Sequence, residues 1–269
     1  MNKKTFYITG DTHGQTATRI KNLTYGWSEE QISNSALIVL GDAGINYNLD
    51  NSDKGAKKHI NNLGMYVYCV RGNHEQRPEL VSTMELAYDI EVEGKVYYEK
   101  AFPKIRYFVD GETYNLQGYK TLVIGGAYSV DKYYRLQNGA KWFENELLTE
   151  DEMNEIEKKI IGQQFDFILT HTCPISWEPT DLFLGCVNQS TVDKSMEIWM
   201  DRIKDKIKWQ VWCFGHFHAD RLERPHVEMF FRDTELLENV WQRWEKYRET
   251  GELDWWLDKS PNFYMYEVN

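Results

Sequence analysis

The chain has 269 residues, 42% of them apolar and 14% aromatic, enough to build one large domain and bury about three quarters of its unfolded surface. Its 42 Asp and Glu outweigh 31 Lys and Arg for a formal net charge of −11, which argues against a phosphate-backbone binder and against long nucleic acids as partners. Cys69, Cys173, Cys186 and Cys213 form no C-x-x-C, and a chain of this size needs no disulfides, so it reads as a reduced, cytoplasmic protein.

The apolar run after Lys3 and Lys4 is cut by Gly10 and Asp11, too soon for a signal peptide, and no run approaches the eighteen apolar residues of a membrane span. Short apolar, β-branched and aromatic runs at Thr5 to Thr9, Ala36 to Leu40, Met65 to Val70, Thr121 to Ile124, Phe165 to Thr170 and Gln210 to Phe214 predict strands buried on both faces. Helical signals lie between them. Ser28 with Gln31 and Thr149 with Glu152 read as capping boxes. The second leads into Met153, Ile156 and Ile160 with Gly162 as a stop, and Met196, Trp199, Met200, Ile203 and Ile207 form another apolar stripe.

From Glu85 to Ile124 the turn segments Glu93-Gly94-Lys95 and Asp110-Gly111-Glu112 predict antiparallel hairpins. Beyond Thr234, Leu237, Val240, Trp241, Trp244 and Tyr247 fall at helical spacing, followed by Trp255, Trp256 and Phe263 to Tyr266. This aromatic-rich stretch, 233–269, is expected to pack on the body, the alternative being a surface for a partner or substrate. Without repeats or flexible linkers, residues 1–269 read as a single layered α/β domain.

Five of the six predicted strands end in a segment able to bind metal. The segments are Gly10-Asp11-Thr12-His13-Gly14, Gly41-Asp42, Arg71-Gly72-Asn73-His74-Glu75, Thr170-His171-Thr172 and Gly215-His216-Phe217-His218. Ligands of open α/β sheets bind beyond the carboxyl ends of the strands, so these segments should converge on one crevice. Asp11 to Asp42 and Asp42 to Asn73 are each 31 positions, about one βαβ unit, which sets the first three strands side by side with level ends. Any one of these residues alone fits a turn or a cap, but five of the seven histidines lie in the segments, and turn chemistry does not explain imidazole. His59 and His226 lack this context and read as surface residues.

Asp11, His13, Asp42, Asn73, His171, His216 and His218 are seven donors, too many for one tetrahedral zinc and suited to two cations sharing a carboxylate. Three oxygen donors and four imidazoles suit divalent Mn, Fe, Zn, Co or Ni rather than Mg or Ca. Cys173, two residues past His171, reads as a small buried apolar group.

The series D-x-H, G-D, G-N-H-E, an isolated strand-end His and G-H-x-H, in order from Asp11 to His218, resembles the calcineurin-like metallophosphoesterases. The resemblance implies a four-layer α/β/β/α sandwich of two mixed sheets flanked by helices. It also implies a dinuclear centre, with Asp11, His13, Asp42 and His218 on one metal, Asp42, Asn73, His171 and His216 on the other, and Asp42 bridging. Such a centre lowers the pKa of a bridging water and delivers hydroxide in line with the leaving group. His74 takes the family's catalytic histidine position, as a proton donor to the leaving oxygen or a stabiliser of phosphoryl charge, or else as support for Asn73.

Arg71, Arg77 and Arg135 are candidates to grip phosphate, the alternative being ion pairs with the protein itself. The G-N-H-E segment is similar to the protein serine/threonine phosphatases, but Ala43-Gly44-Ile45-Asn46 stands where that branch carries Asp-Arg-Gly. The G-H-x-H ending is shared with phosphodiesterases, nucleotide hydrolases and nucleases. Hydrolysis of a phosphomonoester, on a small molecule or a phosphoprotein, is therefore expected, with a diesterase or nuclease as the alternative and a non-catalytic binder of phosphorylated partners ranking below both.

Overall fold

The computed structural model describes residues 4–252; Trp255, Trp256 and Phe263 to Tyr266 lie outside the described residues. The chain runs through β1 (Thr5–Thr9), α1 (Thr16–Leu23), α2 (Glu29–Ser33), β2 (Ser35–Val39), α3 (Asn51–Asn62) and β3 (Tyr66–Cys69), then β4 (Glu85–Asp89), β5 (Gly94–Tyr98) and β6 (Ile105–Phe108). It continues through β7 (Thr113–Leu116), β8 (Tyr119–Ile124), α4 (Lys132–Gln137), α5 (Glu150–Ile160), β9 (Gln164–Thr170), α6 (Ser195–Lys204) and β10 (Lys208–Phe214). The last elements are β11 (Arg221–Arg224), β12 (Val227–Met229), β13 (Thr234–Leu236) and α7 (Leu237–Thr250). Both capping boxes form, on α2 and α5.

Two mixed sheets result, ordered β13-β1-β2-β3-β6-β5-β4 and β11-β12-β10-β9-β8-β7. Alternate side chains of each strand leave by opposite faces, which builds the layers. Ile38, Tyr68, Val123, Phe167, Leu169, Val211 and Cys213 fill the space between the sheets. Leu37, Val39 and Val67 pack outward on the α1 and α3 side with Ile20 and Ile60. Leu122, Ile124, Ile168, Trp212 and Phe214 pack outward under Met153, Ile156, Met200 and Ile203 of α5 and α6. The result is the expected four-layer sandwich, and burial on both faces is why these strands are continuous apolar runs.

Two expectations need correction and a third gains an element. Asp110-Gly111-Glu112 makes no hairpin: β6 belongs to the first sheet and β7 to the second, so this turn carries the chain across the sandwich. The C-terminal stretch contributes a strand before its helix, because β13 pairs antiparallel with β1. His226 is half-buried, its ring 5.2 Å from that of Trp244 and 5.6 Å from that of Tyr247 on α7. His59 is exposed, as expected, and Cys69, Cys173 and Cys213 are buried free thiols while Cys186 is exposed. Leu237, Val240 and Trp244 bury the inner stripe of α7. No helix among the described residues is long and apolar enough to cross a membrane.

Candidate metal centre

Strand register brings the donors together. Thr9 pairs with Val39 and Val39 with Cys69 in parallel alignment, and Ile124 with Thr170 and Thr170 with Phe214 in the other sheet. The carboxyl ends of β1, β2 and β3 are therefore level, as are those of β8, β9 and β10, and the loops after them carry the site. Four of its residues, His13, Asp42, His216 and His218, have φ of 43°, 46°, 68° and 56°. Left-handed backbone costs a residue with a Cβ about 1 kcal/mol or more, and it is concentrated here in the loops around the two carboxylates. Gly41 and Gly72 make room for them: a Cβ on Gly41 would overlap the His171 ring, and one on Gly72 the Asp42 carboxylate.

Asp11 and Asp42 are each 1% exposed. Ligand atoms of Asp11, His13 and His218 lie within 4.8 Å of one another, as do those of Asp11, Asp42 and His171. Asp11 is thus common to both groups, while Asp42 reaches His171 Nε2 at 3.7 Å through Oδ1 and His74 Nε2 at 3.8 Å through Oδ2. Backbone amides orient both carboxylates: His216 N–H donates to Asp11 Oδ1 (3.0 Å) and His74 N–H to Asp42 Oδ1 (2.8 Å). The His216 ring lies 5.0 Å from that of His171.

Several features call for positive charge that Lys and Arg do not supply. Among the described residues, the ion-pair partners of the two carboxylates are imidazoles. Asp11 Oδ2 is buried without a hydrogen bond, although His218 Nε2 is 3.2 Å away. His171 Nδ1 lies 2.7 Å from the carbonyl of Leu40, an acceptor only, so Nδ1 carries the proton. Its Nε2 then faces Asn73 Oδ1 at 2.8 Å. Two lone pairs meet there, which a cation between them would relieve. His13 and His218 set Nε2 beside Nε2 at 2.9 Å. The donors present fit the metal set expected of them.

The fields are strong. Burial alone would raise the Asp42 carboxyl, but His74, His171 and His13 together with the His74 amide hold it well below the ordinary range. Burial pushes the His216 ring down to about 3 and keeps it a neutral donor. The His74 ring is also lowered, by burial and by Arg135 against the pull of Asp42.

The arginines divide. Arg71, 1% exposed, spends its guanidinium on Asp110, Glu146 O and Gly125 O. Arg77 spends its own on Glu152, Glu79, Asn145 O and Leu147 O. The expectation that these two grip phosphate is corrected: their donors are consumed in holding loops together. Arg135 on α4 does reach the site, with Nη2 3.3 Å from His74 Nε2 and Nε bound to Asp131.

Sequence reasoning missed the groups that hold the donors in place. Glu75, buried and pushed up to about 7 by its burial and by Asp42, accepts from Gly72 N–H and Tyr107 OH. Ser129 meets Asn73, 56 positions earlier. Only Glu75 carried a signal, its place in the Arg71–Glu75 motif.

A family model described as calcineurin-like phosphoesterase matches residues 4–220. Among solved structures 17 chains match, one being the crystal structure of phosphopantetheinyl hydrolase (PptH) from Mycobacterium tuberculosis, 12% identical, with 93% of this chain and 94% of that chain covered at a TM-score of 0.41. Comparison with curated proteins finds no match. Ordered motifs, a two-sheet sandwich and a family match over most of its length together make this chain a member of the calcineurin-like phosphoesterases, metal-dependent hydrolases of phosphoric esters.

Proposed function

We propose that the protein hydrolyses phosphomonoesters at a dinuclear centre. Asp11, His13, Asp42 and His218 would hold one ion and Asp42, Asn73, His171 and His216 the other, drawn from divalent Mn, Fe, Zn, Co or Ni. The observation that carries this reading is that, among the described residues, two buried carboxylates have imidazoles rather than Lys or Arg as their ion-pair partners. When bound, such a pair of ions offsets phosphoryl charge and makes water acidic enough to attack at neutral pH.

The chain's own residues do the rest. Asp42, held ionised, and neutral His216 present lone pairs at working pH. His74 Nε2 receives donors from Arg135 and from Asn73 at 3.3 Å each, so at rest it carries a lone pair. When Arg135 turns its fork to phosphoryl oxygens, that nitrogen is free to take a proton from solvent and give it to the leaving oxygen, while the proton of the attacking water returns to solvent. A guanidinium at this place suits the dianionic end of a monoester, phosphoproteins included.

Turnover of p-nitrophenyl phosphate and of its bis ester with added Mn, then of phosphopeptides and nucleotides, tests the assignment. Monoester preference abolished by His216→Ala is expected. Diester preference would overturn the substrate class, and absence of turnover on every ester would overturn hydrolysis at this site.

A further inference from the structure

We infer that Ser129 and Glu146 are positioning residues that fix which end of the Asn73 amide faces the metal. The inference rests on the dinuclear reading above. Asn73 can offer either Oδ1, which binds a cation, or Nδ2, which repels one, and the two differ only by a half-turn of the amide. Something must therefore choose between them.

The choice follows from hydrogen-bond polarity. Glu146, 2% exposed, accepts the Ser129 amide at Oε1 (3.0 Å) and the Ser129 hydroxyl at Oε2 (2.5 Å). The single hydroxyl proton is thereby committed to the carboxylate. Toward Asn73, 2.8 Å away, Ser129 Oγ can then only accept, which demands Nδ2 on that side. Oδ1 is left facing His171 Nε2, where the second ion would sit. The loop bearing Glu146 is fixed in turn by Arg71, whose Nη1 donates to the Glu146 carbonyl at 2.6 Å. Arg71 stands two positions before Asn73, so the loop and the ligand segment share one anchor. Ser129 and Glu146 are buried, and neither belongs to the motifs from which the donors were read.

The variants are Ser129→Ala, Glu146→Gln and Ser129→Thr. Glu146→Gln preserves shape, but its amide can donate to the Ser129 hydroxyl and release that proton toward Asn73, inverting the chain. Calorimetric titration of the metal-free proteins with Mn, alongside their melting temperatures and p-nitrophenyl phosphate kinetics, provides the readout. The wild type should bind two ions. Ser129→Ala and Glu146→Gln should weaken one of them by about 10- to 100-fold, the cost typical of losing a group that orients a ligand, and leave the other unchanged. Ser129→Thr should restore it. Unchanged binding of both ions in Ser129→Ala and Glu146→Gln, or equal weakening of both, would overturn the inference. A wild type that binds fewer than two ions would overturn the dinuclear reading along with it.

Discussion

Glu228 and Asp42 are both carboxylates with almost no access to water, 3% and 1% exposed, and they meet that condition in opposite ways. Glu228 on β12 accepts two hydrogen bonds of 2.6 Å from Arg243 of α7, which also pairs with Glu235 of β13. Arg243 offsets the charge inside the chain, although burial still raises the Glu228 carboxyl to about 7, and the cluster ties α7 to both sheets. Asp42, with Asp11 behind it, meets imidazoles and amides among the described residues. Buried carboxylates without a fixed cation are costly, and a fold keeps them where something outside the chain completes them. Burial alone does not distinguish a structural carboxylate from one in the site; what sets the site apart is that Asp11 and Asp42 gather with imidazoles at one place.

Asp42→Asn breaks this contrast most sharply. Hydrolysis should fall by on the order of 10³-fold, as for other groups that act on developing charge, and the rise in melting temperature produced by Mn should shrink, because a carboxylate that would hold the ions is lost. Turnover of p-nitrophenyl phosphate and melting curves with and without Mn check both halves; a variant that keeps the wild-type rise with Mn would contradict the account. Arg243→Ala should do the reverse. It strands Glu228, costing about 3 kcal/mol of stability, with kcat unchanged per folded molecule by denaturant titration and kinetics. Arg135→Ala removes one charge-assisted contact to phosphate and should lower kcat/KM by about 10- to 150-fold, whereas Arg135→Lys recovers only part because the fork is lost.

Glu197 on α6 sharpens the contrast from a third side. It is 4% exposed, its Oε1 accepts from Thr172 OH, and its Oε2 has no partner. Burial raises its carboxyl to about 7. Raised above the unfolded value of roughly 4.5, the acid favours the folded state below that value, and this contribution is lost as pH climbs to about 7. Glu197→Gln should therefore match the wild type below about pH 4.5 and exceed it by about 3 kcal/mol above pH 7. Melting temperatures across that range measure it, and parallel profiles would count against the assigned ionisation.

The donors were legible because each follows a run of apolar residues buried on both faces, and such runs have few competing readings. Asp11, Asp42 and Asn73 recur at equal spacing, so level strand ends could be anticipated. What stayed hidden depends on distant partners. Asp110-Gly111 has the same turn chemistry whether it closes a hairpin or crosses between sheets, and β13, three residues long, has no pattern of its own. Arg71 and Arg77 sit within six positions of Asn73, yet Arg71 is claimed by Asp110 and Glu146 and Arg77 by Glu152. Arg135, 62 positions past Asn73, is the one that arrives.

Anomalous diffraction from crystals soaked in Mn tests the central claim most directly. Two peaks about 3.5 to 4 Å apart at the strand ends, flanking Asp42 and lost in crystals of Asp42→Asn, are the predicted result. A single peak, none, or peaks that persist without the Asp42 carboxylate would contradict it.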